Sequence, residues 1–321
     1  MKQLISLELF YLLIGAIFAF IAGRIARDRG HGKRWGSALF WGLLAVTYLF
    51  GKVLPPAAVG YLVLGMVALA ALQQVLHSEA HGPSHGERMA EAKRLQNKLF
   101  WPALVVPATA VVGTLLLGKI HWGDSWLIET KHVTLIALGL GALLAIALAV
   151  RTTGEKALAP AVEGSRLLQS IGWALILPQM LAALGGIFAK AGVGAVVADL
   201  VARALPTQFP FVAVAAYCLG MMLFTMCMGN AFAAFAVITG GIGLPLIVQQ
   251  HHGNPAIMAA IGMLSGYCGT LMTPMAANFN IVPAMLLELR DKNAVIKAQV
   301  PIALAVFAAN VLIMYLCVYR F

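Results

Sequence analysis

Two short polar patches interrupt long apolar stretches in the C-terminal half of the chain. The first is Thr225–Asn230, and the second runs through Gly266–Pro274 and on to Asn278 and Asn280. In a bilayer, glycines, a proline and unpaired amides cost stability unless they line a site or find partners within the protein. The two patches therefore predict a binding site at mid-membrane depth, built from uncharged residues.

The chemistry of such a site follows from the interruption of a membrane helix. The half-helix that begins at the break exposes N–H groups, which suit an anion, and the half that ends there exposes carbonyl groups, which suit a cation. Neither patch contains Asp, Glu, Lys or Arg, so no carboxylate proton relay is predicted there. A Na⁺ ion near Asn230 and Asn278 is the candidate metal. The predicted substrate-binding residues are Thr225, Gly229, Asn230, Gly269, Thr270, Thr273, Asn278 and Asn280.

Helix packing is the alternative explanation for these residues, because glycine and threonine line helix contacts in membranes and asparagine bonds across them. The distribution of asparagine favours a site. Three of the seven asparagines lie in the two breaks, and only Asn310 lies in an ordinary apolar span. Two consecutive segments that combine Gly, Thr and Asn are therefore interpreted as a site.

The composition predicts an α-helical membrane protein. Hydrophobic residues make up 61% of the chain and charged residues 11%, and the mean hydropathy is +0.89. The apolar runs are about twenty residues long and do not alternate, which is typical of helices and not of barrel strands. The formal charge of +10 comes from basic residues between the spans. Membrane topology predicts that distribution, so the expected partner is the lipid bilayer and not nucleic acid.

We expect an all-α polytopic membrane protein with about eight transmembrane helices, a re-entrant hairpin and a broken helix. For the hairpin, two full crossings remain an alternative. The expected regions are a five-helix scaffold (1–150), a cytoplasmic linker (151–166) and a transport half-unit (167–321) with the hairpin (about 209–248), the broken helix (about 257–287) and a final helix (300–319).

The basic residues also predict the orientation. Loops on one side of this arrangement hold 15 of the 22 Lys and Arg residues, and the other side holds 7. Because basic residues favour the cytoplasmic side, the N-terminus is expected outside. The predicted location is a bacterial cytoplasmic (inner) membrane. The bias is the same for a hairpin and for two crossings, so it does not choose between them.

The sequence has only weak signals for a metal site or an enzyme active site. His77, His81 and His85 recur every four residues, which could form a metal-binding helix face, but Gly82 and Pro83 interrupt any such helix. A solvated loop is the simpler interpretation. No HExxH, GxSxG or glycine-rich nucleotide loop is present, so we expect neither an enzyme nor a cofactor, apart from a coupling Na⁺ or H⁺.

Three motifs resemble the ion transporter superfamily, which includes citrate, dicarboxylate, gluconate and arsenite carriers. Gly185–Val193 resembles the end of its scaffold-to-hairpin helix, and Met228–Ala231, ending at Gly243–Pro245, resembles its hairpin. Thr273–Asn278 resembles the next helix, where a Thr-Pro…Asn break completes the site. The resemblance implies that this hairpin and this break together hold the substrate. Gly229 and Ala231 stand where that hairpin tip usually carries hydroxyl groups.

Over most of its length the chain also resembles a bacterial family first catalogued as domain of unknown function 979. Its members are described as one subunit of a 5-oxoproline (pyroglutamate) transporter that has a second, shorter membrane subunit. The resemblance implies a subunit of a secondary active transporter for a small organic anion, working by alternating access. A non-transporting structural or regulatory subunit of such a complex is the alternative.

The number of hairpin units predicts a partner. Superfamily carriers contain two such units, inverted relative to each other, whereas this chain shows one. The charge bias argues against a second copy of the same chain inserting upside down. We therefore expect an oppositely oriented, shorter membrane subunit to supply the inverted half-site.

Overall fold

The computed structural model describes residues 2–76, 84–122 and 125–320, and most of them are helical. Within these ranges, seven helical runs are long and apolar enough to cross a membrane, judged by length and composition. Shorter apolar helices, Pro56–Ala71 and Pro255–Leu271, accompany them. The expectation of an all-α polytopic membrane protein is thereby confirmed.

The chain forms two compact units, Met1–Gly172 and Trp173–Phe321. The segment that we expected as a linker, 151–166, contains the end of one helix and the start of the next, and both belong to the first unit. The helices of this unit are α1 (Leu7–Arg27), α2 (Arg34–Phe50), α3 (Pro56–Ala71), α4 (His85–Leu95), α5 (Phe100–Leu116), α6 (Val133–Thr153) and α7 (Ala159–Ile171).

A small sheet, not predicted from the sequence, ties the start of the chain to the connector before α6. Strands β1 (Lys2–Ile5), β2 (His121–Trp122) and β3 (Ser125–Ile128) form it in the order β1-β3-β2. β1 pairs parallel with β3, and β2 pairs antiparallel with it. The Glu129 carboxylate, directly after β3, accepts a hydrogen bond from the Leu7 amide at 3.2 Å and so caps the start of α1.

Helix α4 begins at His85, the last of the three histidines for which the sequence predicted a solvated loop. A capping box starts it: the Ser84 hydroxyl accepts from the Glu87 amide at 3.3 Å, and the Glu87 carboxylate accepts from the Ser84 amide at 2.7 Å. The bond from the Ser84 backbone lowers the pKa of Glu87. His77 and His81 of the histidine series lie outside the described residues.

The second unit contains the two polar patches. Two helices begin it, a long antiparallel hairpin follows, and an interrupted helix and a final helix close it. The elements are α8 (Leu177–Lys190), α9 (Val193–Ala204), α10 (Pro210–Met228), α11 (Ala231–Ile238) continued by a π-helix (Thr239–Gln250), α12 (Pro255–Leu271), α13 (Ile281–Leu286) and α14 (Ala294–Cys317).

The side chain of Tyr217 holds the hairpin arms together and to α12. Tyr217 on α10 is fully buried, and its hydroxyl shares a hydrogen bond of 2.9 Å with the Thr239 hydroxyl on the π-helix. A Cβ at Gly243 would lie 2.8 Å from the tyrosine ring, and one at Gly262 of α12 would lie 2.3 Å from its hydroxyl oxygen. The ring therefore fits only because both neighbouring helices have glycine there. Buried apolar side chains surround it, including Val214, Met221, Ile238, Ile242, Met258 and Met314.

Removal of the Tyr217 hydroxyl tests this packing. We expect Tyr217→Phe to lower the free energy of unfolding by about 1–2 kcal/mol, because the buried Thr239 hydroxyl loses its partner. Unfolding in mixed detergent micelles measures the change. Tyr61→Phe is the control, since Tyr61 is 74% exposed, and it should leave the unfolding midpoint unchanged. Equal stability of the Tyr217→Phe protein and the parent would contradict the assigned role.

Candidate functional site

The tip of the hairpin consists of two residues, Gly229 and Asn230. Gly229 ends α10 in the left-handed region, with a φ of 65°, and its amide donates to the Thr225 carbonyl at 2.7 Å. Asn230 begins α11, and its side-chain oxygen accepts from the Phe232 amide at 2.9 Å. The chain thus reverses in the first polar patch because a helix stop signal is directly followed by a helix start signal.

The hairpin arms are antiparallel and reach the same end of the unit. Near their base, the side-chain nitrogens of Gln250 and His251 lie 3.1 Å and 2.8 Å from the Thr207 carbonyl oxygen. The arms have 19 and 20 residues, a length that suits two crossings as well as a deep hairpin.

The second polar patch forms a break between α12 and α13. Helix α12 ends at Leu271 and α13 begins at Ile281, with turns between them. The side-chain amide of Asn280 donates to the Thr270 carbonyl at 2.8 Å and to the Thr273 carbonyl at 2.7 Å. Asn280 is completely buried, and its side-chain oxygen has no partner among the described residues. One side chain therefore satisfies two carbonyl groups that the broken helix leaves free.

The tip and the break are in direct contact. The Thr273 hydroxyl donates to the Met226 carbonyl at 2.9 Å and accepts from the Met275 amide at 3.2 Å. A Cβ at Gly229 would lie 2.5 Å from the Met275 carbonyl oxygen and 2.9 Å from the Leu181 side chain on α8. Only glycine allows this approach, so the two interruptions meet backbone to backbone.

Below the tip, α12 packs along α10 through glycines. A Cβ at Gly269 would lie 2.3 Å from the Met222 carbonyl oxygen, and one at Gly266 would lie 3.2 Å from the Thr225 hydroxyl. Thr225 is completely buried, and its hydroxyl has no partner among the described residues. Thr225 and Gly269 therefore lie in the helix contact.

A cavity of about 180 Å³ opens beside the tip and the break. Phe232 and Tyr267 form an edge-to-face pair on its wall, with ring centroids 6.3 Å apart. No residue in the lining carries a formal charge. The lining residues are Pro178, Gly229, Asn230, Ala231, Phe232, Tyr267, Thr270, Met275, Asn278 and Phe279.

Two side-chain amides are polar groups of the cavity that remain available to a ligand. The Asn230 oxygen is used to cap α11, whereas its side-chain nitrogen has no partner among the described residues. The Asn278 side chain is exposed and has no hydrogen bond to any described residue. The first amides of α11 begin at the same wall, which places the positive end of a helix dipole there. Amide donors and a helix start are thus available to a ligand without a cationic side chain.

The eight predicted site residues separate into two groups. Gly229, Asn230, Thr270 and Asn278 line the cavity. Thr225, Gly269, Thr273 and Asn280 lie outside the lining and hold the two interruptions in shape. The suggested Na⁺ position near Asn230 and Asn278 falls at the cavity. Within the described residues no group of three or more His, Cys, Asp and Glu side chains could hold a metal ion. This does not bear on Na⁺, which carbonyl oxygens at a helix break can hold.

The aromatic and apolar residues of the lining are not among those predicted from the sequence. Tyr267 lies inside the second patch, between Gly266 and Cys268, and the patch itself was a signal for it. Pro178 interrupts an apolar span, which was a weaker signal. Phe232 and Phe279 follow the asparagines in sequence but have no distinguishing pattern, since apolar residues surround them.

Contacts with helix α14 show how far the site lies from the two ends of that helix. The Cys268 sulfur, one turn before the end of α12, lies 3.7 Å from the Asn310 side-chain nitrogen on α14. Asn254, before α12, donates its amide to the Val318 carbonyl directly after α14, so the two helices are antiparallel. From the level of Asn310, α14 continues to Ala294, about four turns further. The break therefore lies beside the interior of α14 and not beside its end.

The chain matches the family described as "Protein of unknown function (DUF979)" over residues 8–319 and belongs to that family. No curated protein matches it. No solved structure matches it.

Substitution of Gly229 tests the backbone contact at the tip. We expect Gly229→Ala to lower the free energy of unfolding by about 2 kcal/mol or more, because alanine disfavours the left-handed region and its Cβ meets the Met275 carbonyl. Gly186→Ala is the matched control, since a Cβ there meets nothing within 4 Å. Unfolding in detergent micelles compares the two variants. Similar losses in both would refute the assigned contact.

Asn280 and Asn278 should respond differently to truncation. Asn280→Ala removes the donor to two carbonyls in the break, so we expect a loss of about 2–3 kcal/mol and faster amide hydrogen exchange in residues 272–280. Asn278→Ala should change neither quantity, because its side chain makes no such bond. If both variants exchange at the parent rate, Asn280 does not hold the break.

Proposed function

We propose that this protein is one subunit of a secondary active transporter for a small organic anion and that its substrate is 5-oxoproline. The observation that supports the proposal is the cavity where a hairpin tip and a helix break meet, lined by amide, hydroxyl and aromatic groups without a formal charge. Interrupted helices within apolar sequence are costly in a membrane unless they serve a site.

An anionic substrate suits the polar groups of the cavity. Its carboxylate would lie at the start of α11, within reach of the Asn230 side-chain nitrogen, where N–H groups and the helix dipole favour negative charge. The lactam C=O of 5-oxoproline would accept from the Asn278 side-chain nitrogen. Its N–H would donate to the Thr270 hydroxyl oxygen, whose own proton donates to the Tyr267 carbonyl at 2.6 Å. The flat ring matches the aromatic wall formed by Phe232 and Tyr267. A co-transported Na⁺ or H⁺ would supply the driving force, and the function needs no other cofactor and no catalysis.

The depth of the break supports transport. If α14 crosses the bilayer, the contact between Cys268 and Asn310 supports a position of the end of α12 within the hydrocarbon region. A substrate site at that depth is accessible to each side in turn when the unit moves relative to its surroundings, which is alternating access. The proposal includes a bacterial inner membrane with the N-terminus outside, as the distribution of basic residues predicts.

The open side of the cavity supports a second subunit. At its rim, Phe232 is 66% exposed, Met275 is 40% exposed and Phe279 is 41% exposed. Lipid could cover these apolar side chains, but it could not pair with the exposed Asn278 amide beside them, which fits a protein partner that completes the site. We assign this role to the shorter, oppositely oriented membrane subunit expected from the family resemblance.

A structural or regulatory subunit is the second candidate. It is favoured by the framework role of Thr273 and Asn280, whose hydrogen bonds shape the chain and leave little for a ligand. The two functions differ in their dependence on Asn230 and Asn278.

Uptake measurements with asparagine variants test the proposal. We expect Asn230→Ala and Asn278→Ala to abolish uptake of labelled 5-oxoproline into vesicles that contain both subunits, while the complex still assembles. Asn230→Ser is a sharper variant, because serine can cap α11 but lacks the amide donor. Asn293→Ala is the control, since its side chain caps nothing at the start of α14. Normal uptake in both Ala variants would favour the structural subunit.

Uptake into the same vesicles also tests ion coupling and the need for the second subunit. We expect uptake to require the second subunit and to depend on a Na⁺ or H⁺ gradient. Transport by this chain alone would contradict the half-site. Turnover of 5-oxoproline by the purified protein without a gradient would identify an enzyme instead.

A further inference from the structure

Thr270 brings a buried hydroxyl group to the cavity. The residue is only 2% exposed, and it belongs to the lining. Its hydroxyl donates to the Tyr267 carbonyl, one turn earlier in α12, at 2.6 Å. Because the single proton is used in this bond, the oxygen can still accept a hydrogen bond but cannot donate a second one. No described residue donates to this oxygen. The hydroxyl is therefore a buried acceptor without a donor.

The side-chain amides of the cavity have different polarities. The Asn230 side-chain nitrogen is a donor, since the oxygen of the same group is used by the Phe232 amide. The Asn278 side chain is exposed and can turn either its oxygen or its nitrogen toward a ligand. The cavity thus has a donor at the hairpin tip and a fixed acceptor on α12. A ligand with the opposite arrangement, a carboxylate at one end and an N–H group at the other, matches both.

The charge of the surrounding sequence restricts the kind of N–H group. Between Arg203 and Glu288 the sequence contains no Asp, Glu, Lys or Arg, so the hairpin, α12 and the break provide no carboxylate. An ammonium group in the cavity would have no counter-charge, and burial of an unpaired ammonium costs far more than burial of a neutral amide. The single oxygen of Thr270 would also satisfy only one of its N–H groups. The N–H group that Thr270 accepts must therefore be uncharged.

We infer that Thr270 determines the specificity of the cavity, which selects a carboxylate that carries an uncharged N–H group. This inference rests on the function proposed above and narrows its substrate class to lactam acids and N-acylated amino acids, without free amino acids. An analogue with oxygen in place of the N–H group would bring two acceptors together. The Thr270 hydroxyl could donate to that oxygen only by giving up its bond to the Tyr267 carbonyl. A site with a buried polar group discriminates strongly against ligands that leave this group unpaired.

A lactone that differs from 5-oxoproline at one atom tests the inference. This compound, 5-oxotetrahydrofuran-2-carboxylate, has a ring oxygen in place of the N–H group. Calorimetry measures the binding of each compound to the purified two-subunit complex, and competition against labelled 5-oxoproline measures it in vesicles. We expect the parent to bind the lactam about tenfold or more tightly than the lactone. Proline, whose ring nitrogen is an ammonium, should not compete.

Variants of Thr270 connect this preference to the hydroxyl. Thr270→Val removes the acceptor, so the variant should bind the lactam and the lactone about equally. Thr270→Ser retains the hydroxyl and should retain the preference. Thr152→Val is the matched control, since the Thr152 hydroxyl on α6 donates to the Leu148 carbonyl one turn earlier at 2.7 Å. It should leave the preference unchanged.

The possible outcomes separate this inference from the proposed function. Equal binding of lactam and lactone by the parent would overturn the inference alone, and so would competition by proline or a preference that survives in Thr270→Val. A preference lost in Tyr267→Phe but not in Thr270→Val would assign it to the other hydroxyl of the lining. Neither binding nor uptake of 5-oxoproline by the parent would refute the proposed function itself. If the Val variant does not assemble, the ranking of lactam, lactone and proline by the parent decides the outcome.

Discussion

The backbones of the hairpin tip and the helix break touch directly, without a side chain between them. A helix that stops within apolar surroundings leaves N–H and C=O groups without partners, and the cost of each is comparable to a lost hydrogen bond. Here the two interruptions meet through one hydrogen bond and one close backbone contact. Thr273 bonds to the carbonyl of Met226, and the left-handed Gly229 lies against the carbonyl of Met275. The cavity exists because these two breaks are at the same level.

That common level is set by packing below the tip. Tyr217 occupies a space between the two hairpin arms and α12, and glycines on both neighbours make room for it. Gly269 then brings α12 against the Met222 carbonyl near the end of α10. A shift of α12 by one turn would move the break about 5 Å from the tip and separate Thr273 from Met226. Helix packing therefore determines whether the polar patches form one site.

The sequence predicted the elements of this region better than the roles of its residues. Composition and long apolar runs predicted a helical membrane protein, and glycine, proline and asparagine predicted where helices would stop, because these signals are local. The roles of Asn280 and Asn278 could not be separated, since both follow the same Thr-Pro break. Only the folded chain shows that Asn280 turns inward to two carbonyls while Asn278 faces the cavity. The sheet formed by β1 and β3 was missed because it joins segments distant in sequence.

The different positions of these asparagines bear on what surrounds the cavity. A buried amide that bonds to carbonyls, as in Asn280, is stable in apolar surroundings. The Asn278 amide is exposed and has no partner among the described residues, and lipid chains cannot supply one. Contact with lipid would cost this unpaired amide roughly 2–7 kcal/mol, a cost that contact with water or a polar ligand does not impose. A substrate, water held under a second subunit, or that subunit itself would each remove this cost. The exposed amide is therefore a physical reason to expect that the cavity is completed by a polar ligand or by another protein.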